Sequence, residues 1–188
     1  MTETEIIQRV LNGETQVFAV LVSQYQRKAL SLAGRMMQDS EEARDLVQDA
    51  FVKAYRSLGS FKQDSTFSTW FYRIVYTTCL NALDKRKRTP VHDVIDEETA
   101  PVWIDPKVFV DIDRKHIDEV LHEELKNMSP AYSSIMELFY IDDFSYDEIV
   151  NITGLPLGTV KTRLNRGRTQ LRDALLKRLP DAEKLYEA

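Results

Sequence analysis

Apolar residues recur every three or four positions along most of the chain, which is the period of amphipathic helices. Turn-forming pairs interrupt this pattern at Asn12-Gly13, Asp39-Ser40 and Gly59-Ser60. Between these pairs, the spacing in the first half predicts helices over residues 4–11, 17–37, 40–58 and 68–87. The pattern therefore indicates a helical domain over residues 1–88.

The helix over residues 40–58 has the clearest start. Ser40 offers an N-cap hydroxyl, and Glu41 and Glu42 follow in the first turn, where carboxylates complement the helix dipole. The apolar positions of this helix form one stripe, and we expect that stripe to face the core: Ala43, Leu46, Val47, Ala50, Phe51 and Ala54.

Between residues 89 and 115 the periodicity is lost, and three prolines stand among many acidic residues. Such a composition is typical of a linker. A second domain is predicted over residues 116–188, with helices over 117–127, 130–140, 145–153 and 157–179. We therefore expect an all-α protein in which an acidic flexible linker joins two small helical domains.

The charges are segregated along the chain, although the net charge of the 188 residues is only −5. Residues 53–88 contain eight Lys and Arg against two Asp and Glu, and residues 158–180 contain seven against one. Residues 91–124 have the opposite balance, with three against eleven. Two basic blocks of this kind are compatible with nucleic-acid binding in spite of the acidic average.

Residues 145–168 have the form of a helix-turn-helix. Ser145 followed three residues later by Glu148 is a capping pattern for the first helix, and Gly154 supplies the turn. A motif of this kind places its second helix in the major groove of DNA.

The second helix of this motif has a packing face and a free face. Val160 and Leu164 share the packing face with Leu171. The free face is polar, as base reading requires, and carries Lys161, Thr162 and Asn165. Further candidates for contacts with this DNA flank the face, and the arginines among them suit phosphates: Thr159, Arg163, Arg166, Arg168 and Arg172. The coincidence of turn, cap and charge favours DNA binding over the alternative, a solvated basic helix in an ordinary bundle.

The first domain carries an acidic edge and an aromatic cluster. Asp45, Gln48 and Asp49 project from one side of the helix that buries Phe51, and from this edge alone exposure to solvent is the preferred interpretation. Aromatic residues alternate with polar and basic ones over residues 61–74, which suits single-stranded DNA.

Helical spacing assigns Trp70, Phe71 and Ile74 mainly to the core. The candidates for contacts with nucleotides precede them in a loop: Phe61, Lys62, Asp64, Ser65 and Thr66. The helix ends on four successive cations, for which phosphate contact and a solvated tail are equally good explanations: Lys85, Arg86, Lys87 and Arg88.

The sequence offers little to an enzyme or a metalloprotein. Cys79 is the only cysteine, which excludes an intrachain disulfide and a cluster of cysteine ligands, and the three histidines share no nucleophile motif. We expect no catalytic residue, no metal, no cofactor and no small-molecule substrate. The N-terminus lacks the pattern of a signal peptide and no eighteen apolar residues stand together, so we expect a cytoplasmic protein.

Several separated segments resemble the extracytoplasmic-function sigma factors of bacterial RNA polymerase. They are ARDLVQDAFVKAY at residues 43–55, FKQDSTFSTWFYRI at 61–74, FSYDEI at 144–149 and LGTVKTR at 157–163. Their order and spacing extend the resemblance over nearly the whole chain. The absence of additional middle domains also fits this minimal group.

This resemblance implies a role for each candidate. The edge formed by Asp45, Gln48 and Asp49 would dock on the β′ coiled-coil clamp of core RNA polymerase, with the β subunit as a further contact. The helix-turn-helix would read the −35 element of promoter DNA, and the linker would thread toward the RNA exit channel. The loop over 61–67 would capture a flipped base and melt the −10 element with the following helix, through Arg73, Thr77, Lys85, Arg86 and Arg88. Many relatives carry Asn at the position of Thr77, which leaves the −10 preference open.

The expected function is promoter-specific initiation in a stress or envelope response. The resemblance also implies an anti-sigma factor, which would hold the protein at the inner membrane if it were itself anchored there. The main alternative is a helix-turn-helix regulator that binds DNA without polymerase. That alternative leaves the acidic edge and the 61–74 cluster unexplained.

Overall fold

The computed structural model describes residues 1–62, 64–87 and 123–178, and within these ranges it contains helices and no strands. The first two ranges form α1 (Glu3–Leu11), α2 (Phe18–Met37), α3 (Ser40–Ser57) and α4 (Phe67–Lys87). Short 3₁₀ turns precede α2 at Thr15–Val17 and follow α3 at Leu58–Ser60. In the third range residues 123–127 are helical. They are followed by α5 (Pro130–Met136), a π-helical turn (Glu137–Ile141), α6 (Tyr146–Thr153) and α7 (Leu157–Arg178).

The predicted all-α class is confirmed, and the bounds of α1 to α4, α6 and α7 agree with the prediction to within one residue. The helix predicted over 130–140 is wrong at its end, because the α-helix stops at Met136 and continues as the wider π turn. That turn buries Glu137 and Leu138 together. The predicted linker over 89–115 and the start of the helix predicted over 117–127 lie outside the described residues.

The caps explain where α3 and α6 begin. Asp39 is the N-cap of α3 in place of the predicted Ser40, because its carboxylate accepts hydrogen bonds from the backbone of Glu41 and Glu42 at 2.9 and 3.1 Å. Ser40 is already helical. The predicted capping box of Ser145 and Glu148 is confirmed at α6.

Aromatic rings form the core of the first half. Phe71 of α4 is fully buried. Its ring centroid lies 4.5 Å from that of Phe51 on α3 and 5.8 Å from that of Tyr25 on α2. The predicted apolar stripe of α3 is confirmed as well, with Leu46 half-buried and its other members buried. Cys79 is buried in this core, and burial raises the pKa of its thiol to about 12.

The helix-turn-helix is held by buried apolar side chains of its second helix. Val160 and Leu164 of α7 are fully buried. Gly154 ends α6 in the left-handed conformation, with φ of 72°, which a residue without Cβ adopts easily. Gly167 permits the close approach of α7 to α5, because a Cβ at this position would lie 2.8 Å from the Sδ atom of Met136.

The two halves of the chain also pack against each other. The side chains of α2 and α4 meet those of α5, the π turn and α6, and the buried residues of both halves form one continuous core. At the centre of this contact the rings of Tyr72 and Phe144 lie edge to face, 4.9 Å apart. We call this contact the seam. The sequence analysis did not predict it.

The buried face of α7 leads to a stability prediction. Leu164→Ala should lower the free energy of unfolding by about 2–5 kcal/mol, because it removes buried methyl groups and leaves a cavity. Leu157→Ala on the same helix is the matched control, since Leu157 is 40% exposed. Urea unfolding followed by circular dichroism measures both. Equal losses in the two variants would contradict the assignment of Leu164 to the core.

Candidate nucleic-acid interface

The predicted acidic edge lies on the solvent side of α3. Asp45, Gln48 and Asp49 are exposed, whereas Val47 and Ala50 on the opposite side are buried. Among the described residues, neither carboxylate of this edge has a salt-bridge partner. The edge is therefore an uncompensated acidic surface supported by a rigid helix.

The loop before α4 contains both packed and exposed candidates. Lys62, Asp64 and Thr66 are exposed and Ser65 is half-buried. Phe61 is half-buried against the aromatic core, and its ring centroid lies 5.1 Å from that of Trp70 and 6.0 Å from that of Phe67. This packing fixes the path of the loop and leaves its polar side chains facing solvent.

Thr66 has a structural role that the sequence analysis missed. Its hydroxyl accepts a hydrogen bond from the backbone N–H of Thr69 at 3.2 Å, which is the geometry of an N-cap for α4. The Thr66 hydroxyl is also 2.8 Å from that of Ser68. The sequence signal was a hydroxyl residue just before an apolar helix, which the nearby aromatic cluster obscured.

Arg73 and Thr77 lie one turn apart on the exposed side of α4. The Thr77 hydroxyl donates to the backbone carbonyl of Arg73 at 2.7 Å, so its proton is already engaged. Its methyl group and an oxygen lone pair remain available to a ligand.

The cationic end of α4 is described as far as Arg86. Lys85 and Arg86 are exposed, and the Arg86 guanidinium forms an ion pair with Glu42 of α3. Arg88 lies outside the described residues. The exposed cations of α4 thus include Arg73 in its first half and Lys85 and Arg86 near its C-terminal end.

The predicted free face of α7 is accessible at its centre. Lys161 and Thr162 are exposed, and Thr159 and Asn165 are half-buried. The Thr162 hydroxyl donates to the carbonyl of Gly158 at 2.8 Å. This face is separated from the buried face, as the 3.6-residue period requires.

The arginines beside this face contact tyrosines. Arg163 lies beside the hydroxyl of Tyr76 on α4, where burial raises the pKa of the tyrosine although the cation opposes that shift. The Arg168 guanidinium is 3.4 Å from the Tyr146 hydroxyl and lies over the ring of Tyr140, 5.9 Å from its centroid. These two guanidinium groups are held in place by the protein.

Arg166 is half-buried, and its Nε atom has no hydrogen-bond partner among the described residues. Arg163, Arg166 and Arg168 are thus half-buried against the protein, whereas Lys161 is exposed.

The described residues contain no group of three or more His, Cys, Asp and Glu side chains arranged to hold a metal ion. Across the same ranges, no helix combines the length and the apolar character that crossing a bilayer requires.

Comparison with known proteins identifies the family of the chain. The family model described as Sigma-70 region 2 matches residues 21–89, and that described as Sigma-70, region 4 matches residues 118–171. The RNA polymerase sigma-H factor of Pseudomonas aeruginosa is 33% identical, in an alignment that covers 96% of this chain and 97% of that protein. The chain belongs to the extracytoplasmic-function sigma factors.

Other relatives agree. The ECF RNA polymerase sigma-E factor of Escherichia coli K12 is 32% identical over 89% of this chain and 91% of its own length. Among solved structures, the sigma factor RpoE of Bartonella quintana, in complex with the anti-sigma factor NepR, has a TM-score of 0.63 and 25% identity, covering 84% of this chain and 96% of that one. The structure of CnrH in complex with the cytosolic domain of CnrY has a TM-score of 0.62 and 21% identity, covering 93% of this chain and 96% of that one. This likeness supports the fold and nothing further.

Membership in this family settles the general function. The protein is a transcription initiation factor, and it binds core RNA polymerase and promoter DNA through regions 2 and 4. It is not an enzyme, and a regulator that acts without polymerase is excluded as an alternative. The acidic edge, the loop and α4 lie within region 2, and the helix-turn-helix lies within region 4.

The seam joins region 2 to region 4 through acidic residues that the sequence analysis did not single out. Glu137, Asp142 and Glu148 of region 4 contact residues of α2 and α4. Burial of Glu148 would raise its pKa, but hydrogen bonds from Ser145 and Thr69 outweigh that effect and lower it. No local pattern could have identified these pairs, because their members are 70 or more positions apart in the sequence.

Proposed function

We propose that the chain consists of a region 2 domain over residues 1–88, a linker over 89–115 and a region 4 domain over 116–188. Within the two domains, three exposed surfaces have separate roles in initiation. The acidic edge of α3 docks on the β′ clamp, the loop and α4 recognise and melt the −10 element, and α7 reads the −35 element. The observation that carries this proposal is the sharp separation, on α3 and on α7, between an exposed polar face and a buried apolar one.

The acidic edge suits a protein partner better than DNA. Asp45 and Asp49 are four residues apart and therefore adjacent on the helix, with Gln48 beside them. Two exposed carboxylates repel phosphates and attract a basic helical surface, which makes a cationic face of the β′ clamp the fitting partner.

The loop before α4 suits an unpaired base. Lys62, Asp64, Ser65 and Thr66 offer donors and acceptors beside an aromatic cluster, and a flipped base needs both hydrogen bonds and a stacking surface. The cationic side chains that follow contact the phosphates of the strand: Arg73, Lys85, Arg86 and Arg88.

Thr77 tunes the −10 preference. Since its hydroxyl proton is bonded to the helix backbone, it presents a methyl group and an acceptor, in contrast to the donor and acceptor of an amide. We infer that the chain accepts a −10 element that differs from the preference of relatives with Asn at this position.

On α7, Lys161, Thr162 and Asn165 carry the side chains that read base edges. Arg163, Arg166 and Arg168 neutralise phosphates and fix the register of the helix, with Thr159 as a polar contact at the start of α7.

Regulation by an anti-sigma factor is part of the proposal. It is supported by the likeness to RpoE of Bartonella quintana, whose structure contains the anti-sigma factor NepR. We infer that the chain acts in the cytoplasm with its polymerase. An anti-sigma factor anchored in the inner membrane would hold the chain there. Release of the chain from the anti-sigma factor would serve a stress or envelope response.

The docking surface is tested by charge reversal. Asp49→Lys should weaken binding to core RNA polymerase about tenfold or more, because a cation would face the basic partner of the carboxylate. Asp84→Lys makes the same change at an exposed carboxylate of α4 outside the proposed edge. Fluorescence anisotropy titration with core polymerase measures both variants. The docking assignment fails if both variants bind equally well.

The free face of α7 is tested with a panel of promoters, each with one substitution in the −35 element. Lys161→Ala in holoenzyme should remove the preference at one base pair, at a cost of about 1–3 kcal/mol for the preferred base. Gln170→Ala is the control, since Gln170 is exposed on the same helix and nine residues away, on the opposite side. A uniform loss of binding across the panel in Lys161→Ala would assign Lys161 to phosphate contact and refute base reading.

A further inference from the structure

Glu137 is the first of two buried carboxylates at the seam. Its side chain is 1% exposed, and it belongs to region 4. Both of its partners belong to α2 of region 2: the Arg35 guanidinium donates from Nε at 3.2 Å, and the Ser31 hydroxyl donates a short hydrogen bond. Since the Arg35 side chain is only 10% exposed, the pair is sheltered from solvent on both sides. Separation of the two regions would break the contacts of Glu137 with Arg35 and Ser31.

Asp142 is the second buried carboxylate. Its side chain is also 1% exposed, and its Oδ1 atom accepts a hydrogen bond from the Tyr72 hydroxyl of α4 at 3.1 Å. The Lys28 ammonium of α2 is 3.5 Å from the same oxygen. The Oδ2 atom has no partner among the described residues. Asp142 is therefore held from two helices of region 2 and is incompletely satisfied.

The seam also brings the DNA-reading helices together. Arg163 of α7 reaches Tyr76 of α4, and Thr69 at the start of α4 donates to Glu148 of α6 at 3.2 Å. The helix proposed to read the −35 element and the helix proposed to read the −10 element are thus neighbours in one compact body.

This closed arrangement is too small for a promoter. Elements centred near −35 and −10 are separated by about 25 base pairs, or roughly 85 Å of duplex. A compact chain of 188 residues is only about 40 Å across. The 35 residues between positions 87 and 123 allow a larger separation, because an extended chain of that length spans at most about 120 Å.

We propose that the buried contacts of Glu137 with Arg35 and Ser31 form an intramolecular latch that keeps the free sigma factor closed, with region 4 docked on region 2, and that the latch must open for promoter binding. The incompletely satisfied charge of Asp142 at the same seam opposes the latch. Only the need for opening at the promoter rests on the proposed function, because the latch itself is a property of the free chain.

The two carboxylates act on the latch with opposite signs. The pair between Glu137 and Arg35 favours closure, because opening replaces a sheltered ion pair by separate solvated groups, whereas losing one partner leaves a buried charge. Burial raises the pKa of Asp142 to about 6, against the attraction of Lys28 and the hydrogen bond from Tyr72. A carboxyl whose pKa is raised in the closed state favours closure when protonated, and this contribution is lost as the pH rises through about 6. At neutral pH the charge of Asp142 therefore favours opening.

The surroundings of Asp142 allow protons to reach it. An open cavity of about 350 Å³ lies beside it at the seam. The other titratable and charged groups that face it come from every packed element: Tyr25 and Lys28 on α2, Tyr72 on α4, Glu137 on the π turn, neighbouring Asp143, and Glu148 on α6.

The test uses the free full-length chain with fluorescent dyes on two introduced cysteines, Arg56→Cys on α3 and Gln170→Cys on α7, at exposed positions. Cys79 stays in place, since its burial and raised pKa protect it from labelling. Energy transfer between the dyes should be high in the parent chain. Glu137→Gln and Arg35→Gln should each raise the ratio of open to closed molecules at least about tenfold, and the double variant should add little to either.

The matched control is Glu14→Gln, which removes an exposed ion pair with Arg9 far from the seam in sequence and should leave the transfer unchanged. Circular dichroism verifies that each variant is folded. The latch is refuted if Glu137→Gln and Arg35→Gln are folded and transfer energy as the parent does.

Asp142→Asn gives the opposite sign. It should raise the ratio of closed to open molecules at pH 7.5 severalfold, because a neutral side chain still accepts from Tyr72 without the cost of a buried charge. Lowering the pH from about 7 to about 5 should likewise increase closure in the parent chain, and this response should be lost in Asp142→Asn. A change in the same direction for Asp142→Asn and Glu137→Gln would indicate general loosening of region 4 and would overturn the proposal.

A last measurement adds core polymerase and then promoter DNA to the labelled parent chain. Energy transfer should fall as the promoter complex forms, and Glu137→Gln should assemble this complex severalfold faster than the parent. Promoter-directed initiation with unchanged transfer would refute the need for opening. Failure to bind core or to initiate would refute the proposed function and leave the measurements on the free chain intact.

Discussion

Helix α4 contacts the region 2 core, region 4 and solvent on three different sides, and the rest of the structure is arranged around it. Phe71, Val75 and Cys79 follow each other at four-residue spacing and are fully buried in the region 2 core. Tyr72 and Tyr76, one position further on, face region 4. The next stripe, which contains Arg73 and Thr77, is exposed. A helix covered on two sides cannot show a single apolar face, so its sequence pattern is weaker than that of α3 or α6.

The chemistry of the seam suits a contact that forms and breaks. An interface made only of apolar side chains resembles a permanent core, whereas a polar one resembles the contacts between domains that move. Here one aromatic pair, Tyr72 and Phe144, is surrounded by carboxylates paired with hydroxyls and cations. Each of these polar groups regains water when the regions separate, so opening costs less than the buried area alone would suggest.

Sequence periodicity predicted the helices closely because caps and apolar spacing are local signals. Local signals of this kind predicted the Ser145 capping box, the turn at Gly154 and the buried positions of α7. Asp39 was missed because two adjacent residues can both cap, and only the backbone conformation decides between them. Glu137 and Asp142 resembled ordinary surface acids, since their partners lie 70 to 114 positions away. The role of Asp45 depended on the family resemblance, because exposure alone does not identify a partner, whereas Lys62 and Lys161 were candidates for DNA contact from the residue pattern itself.

A latch of this kind regulates by distance and leaves the reading residues accessible. Lys161 and Thr162 remain exposed in the closed chain, as do Arg73 and Thr77. A closed molecule can therefore contact one promoter element, but it cannot contact two elements that are about 85 Å apart. Binding of two linked sites gains affinity from the effective concentration of the second module, and that gain vanishes when geometry forbids simultaneous contact. Closure would consequently remove the gain in affinity that comes from binding two linked promoter elements.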